Sequence, residues 1–241
     1  MKRENLRRTI LAVSAFLMPF TIFFISPAVI VMAASKGVIN SSAIVYFLIF
    51  IAALFAGRIW CGWLCPCGAM QEIIGRGCEK KTSEGFLNSF KYAVFIIWAV
   101  IIAFLFAAAG KIAGVNPLFG TEDGLFPEIL YVYLFLLAAI LVFTFVFGGR
   151  FACRYFCPMG VITIIGRKTG DALSLPGLRL AAEPEKCTGC GLCDAACPMG
   201  LKVSEMVKAD DTKNNDCITC GACTDACKRG AVRLELSRKK R

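Results

Sequence analysis

Fourteen cysteines in 241 residues define the chemistry open to this chain. Eight of them stand near the C-terminus in two runs of identical spacing. "CTGCGLCDAACP" places Cys187, Cys190, Cys193 and Cys197 ahead of Pro198, and "CITCGACTDACK" places Cys217, Cys220, Cys223 and Cys227 ahead of Lys228. Thiolates spaced C-x2-C-x2-C-x3-C hold [4Fe-4S] clusters, three from one run and the fourth from the other. Cluster one then takes Cys187, Cys190, Cys193 and Cys227, and cluster two takes Cys217, Cys220, Cys223 and Cys197. Gly189, Gly191 and Gly221 let the backbone come close to the sulfurs. Repeated C-x2-C also suits zinc, but two matched four-cysteine runs argue against it. The segment from Glu183 to Leu236 is too short for a large core, so metal binding must supply much of its folding energy.

Four more cysteines form a second pattern. "GRIWCGWLCPCG" (Gly57 to Gly68) and "GRFACRYFCPMG" (Gly149 to Gly160) share the Gly-Arg start, Cys61 with Cys153, Cys65 with Cys157, the following proline and the last glycine. Each copy follows two apolar runs, so the chain carries an internal repeat of a helical pair ending in C-x3-C-P. An even number of spans per unit gives both units the same orientation, related by an axis along the membrane normal. That symmetry can bring Cys61, Cys65, Cys153 and Cys157 together as four thiolates, and we read them as ligands of a shared third [4Fe-4S] cluster. Three readings compete: separate clusters drawing on Cys67 or Cys78, a redox dithiol or transient metal site, and structural cysteines. Cys67 and Cys78 have no counterpart in the second copy, where Met159 stands in the place of Cys67. Arg58 and Arg150 either offset the charge of a thiolate cluster or snorkel to lipid headgroups.

The elements that must position these cysteines are apolar. Apolar residues make up 57% of the chain, gathered in runs at Thr9 to Ala34, Ala43 to Gly57, Tyr92 to Ala109 and Ile129 to Gly149. Each approaches the length of a transmembrane helix, the second and third being short. Four such runs predict an α-helical membrane protein of four spans, two repeated pairs, in contact with the lipid bilayer. Lys2, Arg3, Arg7 and Arg8, then Arg58, Arg76, Lys80, Lys81 and Lys91, then Arg150, Arg154, Arg167 and Lys168 flank the runs on one side. The other side has Lys36 and Lys111 with Glu122, Asp123 and Glu128. Positive charge marks the cytoplasmic face, so both termini and the cysteine-rich C-terminal segment are expected there, in an inner-membrane protein. The first run could instead be a signal peptide cleaved near Val31-Met32-Ala33. The net charge of +10 is mostly this topology signal, and no nucleic-acid-binding motif accompanies it. The expected organisation is a membrane domain over 1–170, a linker over 171–182, an α+β two-cluster ferredoxin domain over 183–236 and a basic tail over 237–241.

On the two C-x3-C-P motifs and the paired C-terminal runs, the chain resembles the membrane-bound polyferredoxins of the NapH, NosR and CcoG type, and its four-span form is most similar to NapH. The resemblance covers nearly the whole chain. It implies quinol-linked electron transfer toward an extracytoplasmic reductase, with quinone and redox proteins of a larger complex as partners, or electron delivery during maturation of such an enzyme. A large flavin-binding domain of the NosR kind and a further C-terminal domain of the CcoG kind have no place in this sequence. There is no histidine, no G-x-G-x-x-G and no C-x-x-C-H, which excludes bis-histidine haem, a Rieske centre and a nicotinamide site in this chain. The expectation is a non-catalytic electron-transfer subunit. The alternative is an assembly or redox-sensing protein that supplies electrons for metal or thiol reduction. A quinol pocket has candidates in Asn116, Glu122, Asp123 and Glu128, in a loop that also reads as a solvated connector.

Overall fold

The computed structural model describes residues 2–75, 86–110, 114–119 and 126–238. Arg76, Lys80, Lys81, Lys111 and the last three residues of the basic tail lie outside them. In chain order the first half holds α1 (Lys2–Phe16), α2 (Met18–Thr21), α3 (Pro27–Ser35), β1 (Val38–Ile39), α4 (Ser41–Ala56), α5 (Ile59–Trp63) and α6 (Pro66–Gly75). The second half holds α7 (Phe90–Ala109), β2 (Gly114–Val115), α8 (Phe126–Phe147), α9 (Phe151–Tyr155) and α10 (Pro158–Ala172). The C-terminal unit holds β3 (Gly177–Ala182), α11 (Leu192–Ala196), α12 (Val203–Lys208), α13 (Ala222–Ala226) and β4 (Val232–Ser237).

Among the described residues α7 is long and apolar enough to cross a membrane. It ends at Gly110, whose φ of +70° closes the last turn. Its side chains Ile96, Ile97, Val100 and Phe104 all point outward, as do Phe135, Phe145 and Val146 on α8, which suits lipid rather than water. The first expected span is not one straight helix. α1 and the α2 turn bend by 64° at Leu17, and together they pass the same length and composition test. Pro19 supplies the cause, since it removes a backbone donor and crowds the preceding turn. α4 has 16 residues, about 24 Å, and is capped at its start by Asn40 Oδ1 accepting from the Ala43 N–H at 3.1 Å.

The repeat closes on itself reciprocally. α4 of the first copy packs on α10 of the second, and α8 of the second packs on α6 of the first. At the far end β1 pairs in parallel with β2, Val38 with Gly114 and Ile39 with Val115, tying the two connecting loops. The α4–α10 contact depends on small residues. Gly166 and Gly170 lie four apart on α10; a Cβ at Gly170 would fall 2.2 Å from Leu54 O, and one at Gly166 2.8 Å from Ala53 Cβ. This is helix packing by backbone approach, as in membrane bundles.

In the C-terminal unit β3 pairs antiparallel with β4, Gly177 opposite Ser237 and Ala182 opposite Val232. Half of the stretch read as a linker, 171–182, is therefore a strand of the ferredoxin unit. Its Leu-Arg-Leu-Ala alternation matches Val-Arg-Leu-Glu-Leu on β4, so the pair shares one buried face with Leu180 and Val232 at its centre. Gly191 and Gly221, at φ +73° and +78°, open the single-turn helices α11 and α13.

Replacing Gly170 by alanine should force α4 and α10 apart and cost about 1–3 kcal/mol. A lowered unfolding midpoint in detergent, absent for alanine at the exposed Ile73, checks this.

Candidate metal centres

Two of the three cysteine sets lie in the ferredoxin unit. Cys187, Cys190, Cys193 and Cys227 line one cavity together with Gly189 and Gly191. Cys217, Cys220, Cys223 and Cys197 line another, with Met199, Ile218 and Thr219. The structure thus brings each run's first three cysteines together with the fourth of the other run. All thirteen described cysteines are free thiols. Among the described residues no three His, Cys, Asp or Glu side chains converge as a single metal ion requires. Backbone amides aim at the sulfurs: Ala231 N–H donates to Cys227 Sγ at 3.3 Å, Thr219 N–H to Cys217 and Ala222 N–H to Cys220. Four thiols around a cavity, with amides pointed at sulfur, fit a [4Fe-4S] cluster. The sets differ in exposure. Cys220 and Cys223 are buried, whereas Cys190 is exposed.

The third set sits where the two repeats meet. Cys61 and Cys153 ride on the single-turn helices α5 and α9. Cys65 and Cys157 stand just before Pro66 and Pro158, at the starts of α6 and α10. The turn is the same in both copies: Cys65 N–H donates to Trp60 O at 2.9 Å and Cys157 N–H to Ala152 O at 3.1 Å. Gly68 N–H favours the Cys65 thiolate and Gly160 N–H the Cys157 thiolate, each three residues on at the start of a helix. Cys153 lies within electrostatic reach of Cys65, Cys157 and Cys61.

Each copy solvates the other. Gln71 Nε2 donates to Cys153 Sγ at 3.3 Å while its Oε1 accepts from Ala152 N–H at 3.1 Å. Thr163, which holds the equivalent place in the second copy, hydrogen bonds Cys61. Arg150 reaches across to donate to Cys61 O. A Cβ at Gly68 would lie 2.9 Å from Arg150 Nη1, and one at Gly160 2.9 Å from Arg58 Nη2, so each glycine leaves room for the other copy's arginine. Arg58 and Arg150 are 3% and 1% exposed. Of the two readings open from sequence, snorkelling to headgroups is excluded by that burial.

The charges around the edge set are unusually deep. Arg7, Arg58, Lys91, Arg150 and Arg154 are all buried, against Glu72 and Asp216. Glu72 binds Arg7 and Arg150, each at 2.5 Å. Burial alone would raise the Glu72 carboxyl, but the two guanidinium groups outweigh it and hold it at about 2. Asp216, beside Cys217, pairs with Lys91 and lies 3.6 Å from both Arg58 and Arg154. Burial pushes the Cys157 thiol up to about 12, with Cys65 and Cys61 adding to the shift. The Cys65 thiol runs the other way, to about 6, because the Cys67 thiol donates to it, with Gly68 N–H and Arg150 helping against burial. A metal bound by the Cys157 sulfur would displace that proton. Cys67 thus sits against the edge set; Cys78 lies outside the described residues.

The edge set touches the ferredoxin unit directly. A Cβ at Gly62 would fall 2.4 Å from Ile218 O and 3.4 Å from Cys220 Cα. Arg154, which stands at the equivalent place in the second copy, donates to Met199 O at 2.9 Å. Cys61 joins the apolar core of the ferredoxin unit with Met199, Ile218 and Cys220. Arg3 on α1 adds a clasp, donating to Gly221 O at 3.1 Å and Asp225 at 3.3 Å. Gln71, Thr163, Glu72 and Asp216 went unremarked in the sequence. The polar pair Gln71-Glu72 inside an otherwise apolar repeat was the available signal. In the far loop, Asn116 Oδ1 accepts from Leu118 N–H at 3.1 Å and shapes a turn; Glu122, Asp123 and the Glu128 side chain lie outside the described residues.

A family model described as a 4Fe-4S binding domain matches residues 41–83, and models described as 4Fe-4S dicluster domains match residues 150–201 and 186–232. An uncharacterized protein of Methanocaldococcus jannaschii is 32% identical over 206 residues, 80% of this chain and 71% of its own length. The regulatory protein NosR of Stutzerimonas stutzeri is 32% identical over 132 residues, 49% of this chain and 18% of that protein. The methylamine utilization ferredoxin-type protein MauN of Methylorubrum extorquens is 26% identical over 171 residues, 68% of this chain and 54% of that protein. No solved structure matches the chain.

Glutamine at Glu72 would strand the buried Arg150 guanidinium and leave Arg7 with Glu4 as its carboxylate partner, at a cost of about 3–5 kcal/mol. Glutamine at Glu205, whose pair with Lys202 is open to solvent, should cost less than about 1 kcal/mol. Unfolding midpoints of the two variants, measured side by side, test the contrast.

Proposed function

We propose that this chain, which belongs to the membrane-bound polyferredoxins of the NapH, NosR and CcoG type, is the electron-relay subunit between a membrane donor and partner redox proteins. Its relatives and its 4Fe-4S domains make it an iron–sulfur electron-transfer protein. The finer reading is ours: the donor is the quinone pool or a membrane redox protein, and three [4Fe-4S] clusters connect it to the partners.

The observation that carries the third cluster is the buried charge. Five buried cations stand around the edge set against the buried Glu72 and Asp216 and the part-buried Glu4, which also pairs with Arg7. Neutral thiols would leave that excess uncompensated in a medium where isolated charge is costly. Four thiolates on a [4Fe-4S] core carry net negative charge and answer it. Cys61, Cys65, Cys153 and Cys157 would hold this cluster; Cys187, Cys190, Cys193 and Cys227 would hold cluster one, and Cys217, Cys220, Cys223 and Cys197 cluster two. The chemistry such clusters supply is one-electron carriage.

The protein's own part is placement. Arg58 and Arg150 lock the two repeats across the edge set, Gln71 and Thr163 steady Cys153 and Cys61, and Gly62 lets the edge set rest on the Ile218–Cys220 backbone. The set containing Cys217 therefore borders the edge set, and the set with exposed Cys190 offers its face to partners. In this reading the apolar helices form a multi-pass membrane domain, and the basic side with the ferredoxin unit faces the cytoplasm.

Anaerobically purified protein should contain about 12 iron and about 12 acid-labile sulfide per chain, and alanine at Cys61, Cys65, Cys153 and Cys157 together should remove about four of each. About 8 in the native protein, unchanged by the substitutions, would sink the edge cluster. Valine at Gly62 should leave the iron content intact yet slow reduction of the ferredoxin centres from the membrane side in stopped-flow absorbance.

A further inference from the structure

A cavity of about 460 Å³ opens between the end of α10, the turn at Gly57–Arg58 and the β3–β4 sheet. Cys217 and Thr219 form part of its wall, so it borders the Cys217 set, and no other described cysteine lines it. Its volume is that of a small-ligand site, and its lining is part polar and part apolar. Arg58, Arg167, Lys168 and Lys213 supply positive charge. The acids on the same wall are partly spent. Asp171 binds Arg167 Nε at 3.2 Å and Arg179 at 2.7 Å, and Asp211 accepts from the Lys213 backbone N–H at 3.1 Å. Asp210 and Glu235 complete the acidic lining.

Two guanidinium atoms in this wall lack acceptors. Arg58 Nε and Arg167 Nη1 are buried with no hydrogen-bond partner. The rest of Arg58 is committed, with Nη1 donating to Asn215 O at 3.0 Å. Buried donors left unmade are costly and rare. Lys168 and Lys213 stand exposed on the same cavity. Two guanidinium and two ammonium groups ask for more acceptors than the two oxygens of a carboxylate provide. Phosphate oxygens match the arginine fork and satisfy several donors at once.

We propose that this cavity binds a phosphate-bearing anion, either the phosphodiester of a lipid headgroup or a soluble phosphate ester. Because Cys217 borders it, the bound anion would make reduction of a cluster held there less favourable. That consequence rests on the cluster assignment; the binding itself does not.

The test uses the holoprotein in detergent. Phosphorus bound per chain is measured before and after exhaustive delipidation, and inorganic phosphate and glycerol 3-phosphate are then offered in equilibrium dialysis. One copurifying phospholipid per chain assigns the site to a headgroup. Saturable binding of the soluble probes to delipidated protein, without copurified lipid, assigns it to a free ester. In either case Arg167→Gln should weaken retention about tenfold or more. The double variant Lys168→Gln and Lys213→Gln, which changes only exposed side chains, should do the same, while Lys202→Gln should not. An EPR redox titration should also show a lower potential for one ferredoxin centre when phosphate is bound. Absence of both lipid phosphorus and soluble binding, or binding indifferent to both variants, overturns the proposal. Phosphate binding without iron would spare it while removing the cluster reading.

Discussion

The arginines that cross between the two repeats are the constraint on which the rest depends. Arg150 lies over the first copy's cysteine turn and Arg58 over the second's, each in the space left by a glycine. Neither can be withdrawn without opening the site of the other, so the pair makes one unit out of two similar halves. Glu72 and Asp216 neutralise part of this charge from opposite sides, one inside the membrane-proximal layer and one from the ferredoxin unit. Buried ion pairs contribute little net stability on their own. Their effect here is geometric: they fix which surface of the ferredoxin unit meets the edge set.

The paired ferredoxin runs were legible because their chemistry is local. Spacing alone assigns the fourth cysteine of each run to the other set, and the cavities group the thiols in that way. The repeat was also legible, and so was its ability to bring four cysteines together. The reciprocal solvation was not. Gln71 and Thr163 are different residue types at equivalent places, so no identity in the repeat marks them, yet each serves the other copy's first cysteine. Arginine burial was undecided in the sequence for a similar reason. A basic residue at the end of an apolar run reads equally as a headgroup anchor, and only the packing of α4 on α10 and of α6 on α8 encloses it.

Element boundaries were the weaker part. The apolar run Thr9 to Ala34 gives no composition break at Leu17, although Pro19 and Pro27 carry the information that it bends. The segment 171–182 was read as linker with a turn at Pro176-Gly177, but the turn falls at Leu173–Ser174 and the strand begins at Gly177. Gly177 sits against Arg167 Nη1 and Phe55 O, so it belongs to the seam between the two parts of the protein. Turn residues located the junction correctly and misjudged how soon order resumes.

The clasp made by Arg3 has a consequence for how the molecule is made. Arg3 is translated more than 200 residues ahead of its acceptors, Gly221 and Asp225. Arg7 likewise waits only for Glu72, but Arg58 and Arg154 wait for Asp216. The helical layer is therefore synthesised with its cationic face open, and its final closure coincides with completion of the second cysteine run. The clasp can therefore form only after eleven of the twelve candidate ligands, all but Cys227, have been translated.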